Sequence, residues 1–402
     1  MGMKWLIIIV MVLVAGSCGV EEIGSRPGLN RDDIWTGPGM NPDTDSREVC
    51  YVTAFDYPDD YDWRTDREKG SVKCSLVVFA DGIPMMKVPV GEQYEVSSDP
   101  DMHWMLEGHL YTSCQTGDET VIKKDGRTAV RYRGDEILCG LQVDDYDIYT
   151  LGHFRQGKGF VYRRNGEIIM ERSAGRTFGR LQCDADSICF AFCEPIISNE
   201  ETLERYYHVV NGKVSQEALR DDVRKVWDMV SYNGEVCYIA SLTGVAKPVV
   251  FQGGEIKALM MPEDSSPLSF RMRPGEEFLC WDGLYSAEDV SVASAIWFRP
   301  DHCVSFPEGM VISSGCVSGK GICCAVNPPS SSSESGGIIY RSGEEFVMPE
   351  GYAVMGSSCA AVKGGMLHIG LSSQNGGQPM LWTDGQAEQL DINGYIASVS
   401  VF

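Results

Sequence analysis

The sequence lacks most of the patterns that announce chemistry. Its six histidines, His103, His109, His153, His208, His302 and His368, include no pair at metal-ligand spacing. Fifteen cysteines include no C-x-x-C, so the usual zinc and dithiol signatures are missing. No G-x-S-x-G, H-E-x-x-H or phosphate-cradling glycine loop occurs, which removes the linear marks of serine hydrolases, zinc peptidases and P-loop enzymes. Positive charge is scarce too: 34 Lys and Arg stand against 57 Asp and Glu, a net −23. Such a field repels nucleic acid, sulfated glycans and anionic lipid heads, so no nucleic-acid partner is expected. Helical periodicity is confined to Gln216–Trp227, QEALRDDVRKVW. Even there the register of the surrounding repeats argues for strand over local propensity.

The chain opens with Met-Gly-Met-Lys and the apolar run WLIIIVMVLVA, Trp5 to Ala15, too short to span a bilayer with its flanks. A basic start, a short apolar core and small residues ahead of a cut site describe an export signal, residues 1–17. Ala15-Gly16-Ser17-Cys18 resembles the bacterial lipobox, which implies that Cys18 is the acylated first residue of the mature protein. Gly19-Val20-Glu21-Glu22 is similar to the surface-export signal of Bacteroidota-type lipoproteins. The expectation is an outer-membrane lipoprotein facing outward. From Cys18 to Glu48 the chain is rich in Gly, Pro, Asp and Asn and reads as a flexible tether. Thirty residues reach on the order of 100 Å when extended.

Residues 49–402 carry a repeat. Eight short turns, Asp81-Gly82, Asp125-Gly126, Asn165-Gly166, Asn211-Gly212, Gly253-Gly254, Pro300-Asp301, Ser342-Gly343 and Asp384-Gly385, are separated by 44, 40, 46, 42, 47, 42 and 42 residues. Around each lie apolar runs of four to seven residues bounded by Gly, Pro, Asp and Asn, a strand signal. Asn-Gly and Asp-Gly suit the left-handed backbone of a tight hairpin. Four short strands per repeat at this period predict an all-β fold, a β-propeller of four-stranded blades, with eight blades and seven as the alternative. In the fifth repeat the four strands read VCYIAS, PVVFQGG, EIKALMMP and LSFRMRP. Either the ring closes by packing apolar faces, or a strand from one end completes a sheet at the other. Pro300-Asp301 departs from the glycine turn and leaves the sixth hairpin open to question.

Val236-Cys237-Tyr238-Ile239-Ala240, Trp382-Thr383-Asp384-Gly385 and Leu390 resemble the blades of a group of Bacteroidota lipoproteins, roughly VYVAG, a loop, A-x-x-W-x-NG, then x-x-x-L-x. The resemblance covers about Val49 to Phe402 and implies the fold more than any activity. Cys50, Cys189, Cys237 and Cys323 take the same place in different repeats, so they read as small apolar residues packed between blades.

Recognition is expected on the loops between the first and second strands of each repeat, carried on one face of a rigid scaffold. The first such loop holds Tyr57, Tyr61 and Trp63, a stacking platform for a sugar ring or, equally, a cap on its own blade. Asp60, Asp62 and Asp66 are hard oxygen ligands suited to calcium, yet they lack the glycine and glutamate of an EF-hand loop. No cofactor is otherwise implied. Trp281, Asp282 and Tyr285 add a second candidate ligand site. The expected function is a lipid-anchored propeller that binds an extracellular glycan or protein rather than an enzyme. The alternatives are a glycoside-cleaving propeller, which needs only two facing carboxylates, and a structural subunit of an outer-membrane complex.

Overall fold

The computed structural model describes residues 35–36, 48–65, 74–90 and 103–402, except 145, 156–157, 185–186, 199–200, 218, 262–264, 275–278, 288–292, 301, 308, 319–320, 329–335 and 357. The export signal, Cys18 and most of the tether lie outside the described residues. Those described form strands and turns in eight antiparallel sheets, six of four strands and two of five. They are the blades of a β-propeller, and no helix occurs among them.

From the second blade to the seventh, chain order is radial order. Each begins with an innermost strand: His103–Leu106, Glu136–Asp144, Arg176–Asp184, Val223–Tyr232, Ser265–Pro274 and Val311–Ser318. In the eighth, Tyr352–Ala353 and Ala360–Lys363 both pair with Met366–Ser373. The first blade is assembled from both chain ends. Gly394–Val401 is its innermost strand and pairs antiparallel with Cys50–Asp56, from Cys50↔Val401 to Asp56↔Gly394. The ring therefore closes by strand exchange. Hence the sequence repeat is out of phase with the blade: LSFRMRP, the fourth strand of the fifth repeat, is the innermost strand of the sixth blade. Every repeat contributes three strands to one blade and one to the next.

Alternate residues of a strand face opposite neighbours. In Cys74–Ala80, Val77 and Phe79 join a core with Leu367, Ile369 and Trp382 of the eighth blade. Leu76 and Val78 join one with Met105 and Leu110 of the second. Both faces of a blade are buried, which explains continuous apolar runs where a half-exposed sheet would alternate. The repeated thiols sit in these seams: Cys50, Cys189, Cys237 and Cys323 are buried, and no disulfide links the described cysteines.

The recurring turns are two-residue hairpins with both residues left-handed. Asn165 and Gly166 have φ of 51° and 84°, Asn211 and Gly212 of 48° and 76°. The first turn residue does a second job. Its side-chain oxygen accepts the N–H of the first or second residue of the second strand, in Asp81–Cys50, Asp125–Leu110, Asn165–Ile148, Asn211–Ile188 and Asp384–Leu367, at 2.8–2.9 Å. Its own N–H donates to that residue's carbonyl. The outer hairpin is thereby tied to the middle of its blade. The sixth hairpin forms without the motif: Ala293–Arg299 pairs with His302–Ser305 across a register shift between Trp297 and Arg299.

As the repeat register predicts, Gln216–Trp227 is not helical; it spans the end of strand Lys213–Glu217 and the start of Val223–Tyr232, which is paired along its length with Glu235–Leu242. Residues 194–204 are mostly strand, since Ser187–Ser198 and Glu201–Val210 stay paired out to Ser198↔Glu201. Residues 282–287 likewise continue the strand Leu279–Ala287. In addition, Trp35–Thr36 adds a short strand to the outer edge of the first blade against Met86 and Lys87.

Replacing Asn211 by Ala removes an acceptor and places a Cβ at positive φ without local compensation. Losses of about 1 kcal/mol and 1–2 kcal/mol are expected from the two effects. Urea unfolding should show a fall of about 2–3 kcal/mol, and Asn211→Gly, which keeps the φ, only about half of it. A second expectation concerns pH. Burial pushes the Cys50, Cys237 and Cys359 thiols from 9.0 up to about 12, and burial likewise raises Tyr132 and Tyr238 to about 12. The folded state then holds protons that the unfolded chain releases. The associated stability is fully present below pH 9 and is lost as pH rises from 9 towards 12. Urea midpoints measured at pH 8, 9.5 and 10.5 should fall in that order, and iodoacetamide at pH 8 should leave these three cysteines unmodified until urea is added.

Candidate functional site

Antiparallel order places the two-residue turns on one face of the ring and the longer second-to-third loops, with the links between blades, on the other. The predicted recognition residues of the first blade lie on this loop-bearing face. Tyr57, Tyr61 and Trp63 are 3%, 8% and 5% exposed. Tyr57 and Trp63 pack on Tyr395, with ring centroids 6.4 and 5.0 Å apart, and Tyr57 lies 5.2 Å from Tyr61. Asn393 fastens the loop by donating to the carbonyls of Pro58 and Tyr61 at 2.7 and 3.0 Å. These rings cap the seam where the ring closes and leave no open stacking platform. Asp62 is gripped by Arg64 at 2.6 and 2.7 Å, and those hydrogen bonds hold its carboxyl well below the usual range. Asp60 is exposed, Asp66 lies outside the described residues, and no cluster of three or more metal-ligating side chains occurs among the described residues. Trp281, Asp282 and Tyr285 belong to the strand Leu279–Ala287, paired with Trp297, Ile296 and Ala293; their side chains lie outside what is described.

The structure assembles a different cluster. In the fourth blade Arg176 opens the innermost strand and pairs with Cys193, while the next two strands run on to Ser198 and Glu201. This hairpin projects beyond the ring. At its base Arg172 meets Glu194 at 2.9 Å. Arg176 faces Glu204 through two contacts of 3.4 Å, and Tyr206 donates to Glu204 at 2.6 Å. Burial raises Glu204, but the bonds from Tyr206 and Arg176 outweigh it and hold the carboxyl below its ordinary value. In the fifth blade Lys225 places its ammonium 3.3 Å from the ring centroid of Trp227. The indole donates to Ser241 at 2.9 Å and meets Phe270 edge-on. Desolvation, then the charge of Arg176, lowers the Lys225 ammonium, with Glu204 a partial offset.

Three cations thus lie over aromatic rings: Arg172 on Phe192, Arg176 on Phe178 and Lys225 on Trp227. Two carboxylates balance them, leaving one positive charge on a strongly acidic protein. Lys225 is exposed and makes no ion pair with a described residue. The signal in the sequence was a cation two residues before an aromatic, Arg176-x-Phe178 and Lys225-x-Trp227, at the start of consecutive innermost strands. Side chains two apart on a strand share a face, but the second pair lay inside the helix-like stretch.

Two further features are structural. A cleft of about 100 Å³ between the first and second blades, lined by His103, Trp104, Ser358, Ser398 and Ser400, is well below the roughly 300–1,000 Å³ of small-molecule pockets. Glu136 and Arg163, 1% and 6% exposed, form an ion pair at 2.6 Å between the third blade's strands. Arg163 stacks 4.5 Å above Tyr132 of the second blade and donates to the Gly166 carbonyl. Its fork is filled from within the protein, so the pair is a fastening rather than a site.

No protein-family model matches this chain, and no curated protein matches it. Among solved structures it is similar to Pyrococcus horikoshii acylaminoacyl peptidase, with a TM-score of 0.43 and 11% identity over 86% of this chain. It is also similar to TolB from Acinetobacter baumannii, with a TM-score of 0.37 and 10% identity over 87% of this chain and 82% of TolB. A quinonprotein alcohol dehydrogenase-like protein from Bacteroides thetaiotaomicron gives a TM-score of 0.32 and 9% identity, covering 88% of both chains. The chain spans about half the length of the acylaminoacyl peptidases, 51% and 52%.

Replacing Arg163 by Met leaves the Glu136 carboxylate buried without its partner, and urea unfolding should show a loss of about 3–5 kcal/mol. The double variant with Glu136→Leu should recover most of it. Equal stabilities for the single and double variants would show that the two charges do not depend on each other.

Proposed function

We propose that this protein is a lipid-anchored, surface-exposed propeller that captures an extracellular ligand on its loop-bearing face. The observation that carries the reading is the cation–aromatic cluster at the base of the projecting fourth-blade hairpin. Charged and aromatic side chains are held there at the solvent boundary on rigid strands, the arrangement a recognition surface requires. The lipobox-like Ala15-Gly16-Ser17-Cys18 supports the anchor, and the Gly- and Pro-rich stretch that follows supports display away from the membrane.

Binding fits the cluster better than glycoside hydrolysis. A general acid must keep its proton near neutral pH. Here, against the effect of burial, the hydrogen bonds from Tyr206 and Arg176 hold the Glu204 carboxyl below its ordinary value.

The test is a glycan and protein array probed with the full chain, followed by product analysis of each ligand. Retention of an uncleaved ligand, lost when the hairpin residues 194–204 are shortened, is the expected result. Cleavage of the ligand would make the protein an enzyme, and undiminished binding by the shortened variant would move recognition away from this face. Cys18→Ser should release the protein from the membrane fraction into the soluble one.

A further inference from the structure

On the reading that the loop-bearing face binds a ligand, we infer that Arg176 and Lys225 take the carboxylate of an acidic sugar, whose ring then stacks on Trp227. Three features of the cluster lead there. First, Arg176 already faces a carboxylate, that of Glu204, but through two contacts of 3.4 Å. Charge-assisted pairs close to about 2.7–2.9 Å. The guanidinium is therefore arranged for a planar two-oxygen group and held loosely by the one it has.

Second, the charge count selects the ligand group. Arg172, Arg176 and Lys225 against Glu194 and Glu204 leave a single positive charge. One carboxylate neutralises it. A phosphate dianion or a sulfate-rich chain would leave excess negative charge in a protein whose net charge is −23, where the surrounding field opposes it.

Third, Lys225 covers the indole face of Trp227 at 3.3 Å. An ammonium that turns towards a bound carboxylate uncovers that face. Aromatic faces beside polar groups are natural stacking surfaces for a sugar ring. Trp227 is fixed for this role by its bond to Ser241 and its edge contact with Phe270. An acidic peptide satisfies the charge but leaves the uncovered ring without a matching partner.

The experiment is calorimetric titration of the full chain with methyl galacturonoside, which carries one carboxylate, with its methyl ester as the neutral match and with a hexapeptide carrying a single Glu. The acid should bind and the ester should bind at least tenfold more weakly, since a hydrogen-bonded ion pair is lost. Lys225→Met and Arg176→Gln should each weaken the acid tenfold or more. Lys257→Met, whose ammonium pairs with Glu255 on an outer strand, should not. Far-ultraviolet circular dichroism and urea midpoints confirm that the variants fold. An independent readout is tryptophan fluorescence: methyl galacturonoside should shift the emission of the wild type and not of Trp227→Phe. Equal binding of acid and ester, unchanged affinity in both cation variants, preference for the peptide, or absence of binding to the acid would each overturn the inference. If the array finds a neutral ligand that depends on the fourth-blade hairpin, capture by this face stands and only the acidic-sugar assignment falls.

Discussion

The pairing of Gly394–Val401 with Cys50–Asp56 is the constraint on which the rest of the molecule depends. Each blade buries both faces against its neighbours, so no blade is a stable unit alone, and an open row would expose an apolar sheet face at each end. Closure converts those two faces into one more seam. It also explains where the molecule concentrates its polar fastenings. Asn393 and Asp56 tie the loop after the first strand of the domain to the link that precedes the last strand, and Arg64 fastens the loop to itself through Asp62. Lys363 reaches Asp81 across the same junction. Tyr57, Tyr61 and Trp63 seal its loop-side end. Aromatic residues in a long polar loop looked like bait for a ligand because sequence shows composition and not burial.

Much of the fold was legible for a simple physical reason. A hairpin with both residues at positive φ restricts its first residue to Asn, Asp, Gly or a strained Ser, and the second almost always to Gly. The additional bond from that first side chain to the head of the second strand narrows the choice further, to a residue with an acceptor one carbon from the backbone. Asp81, Asp125, Asn165, Asn211 and Asp384 meet both demands, and their spacing gave the blade count. Phase was not legible. A repeat read from turn to turn is the same whether the ring closes within a repeat or by exchange of a strand, because no local signal marks where one sheet ends and the next begins.

The candidate site was hidden for the opposite reason. Recognition was sought in loops, whereas the cluster is built on strands whose pairing continues past the innermost one. The pairs Glu194↔Arg205 and Pro195↔Glu204 carry the fourth-blade hairpin outward, and a run of alternating charge there resembles a solvated loop. Lys225 and Trp227 were obscured by neighbours that favour helix in isolation. What decided their state was the partner strand Glu235–Leu242, distant from any window in which helical spacing is counted.

On a protein of this acidity an exposed cation without a carboxylate partner stands against the surrounding field. Some of the cations at the rim are neutralised within their own blade, as in Arg164 with Asp147 and Arg220 with Asp222. Such pairs are worth little to stability and leave no field behind. On the innermost strand of the fifth blade the Lys225 ammonium rests on the ring of Trp227 in place of a carboxylate. A cation–aromatic contact compensates only part of the lost hydration, on the order of 1 kcal/mol. An incoming anion therefore supplies at Lys225 what the ring leaves uncompensated. The negative field around it narrows the approach to ligands with little charge beyond the group that is bound, so the same surface that attracts a single carboxylate discriminates against polyanions.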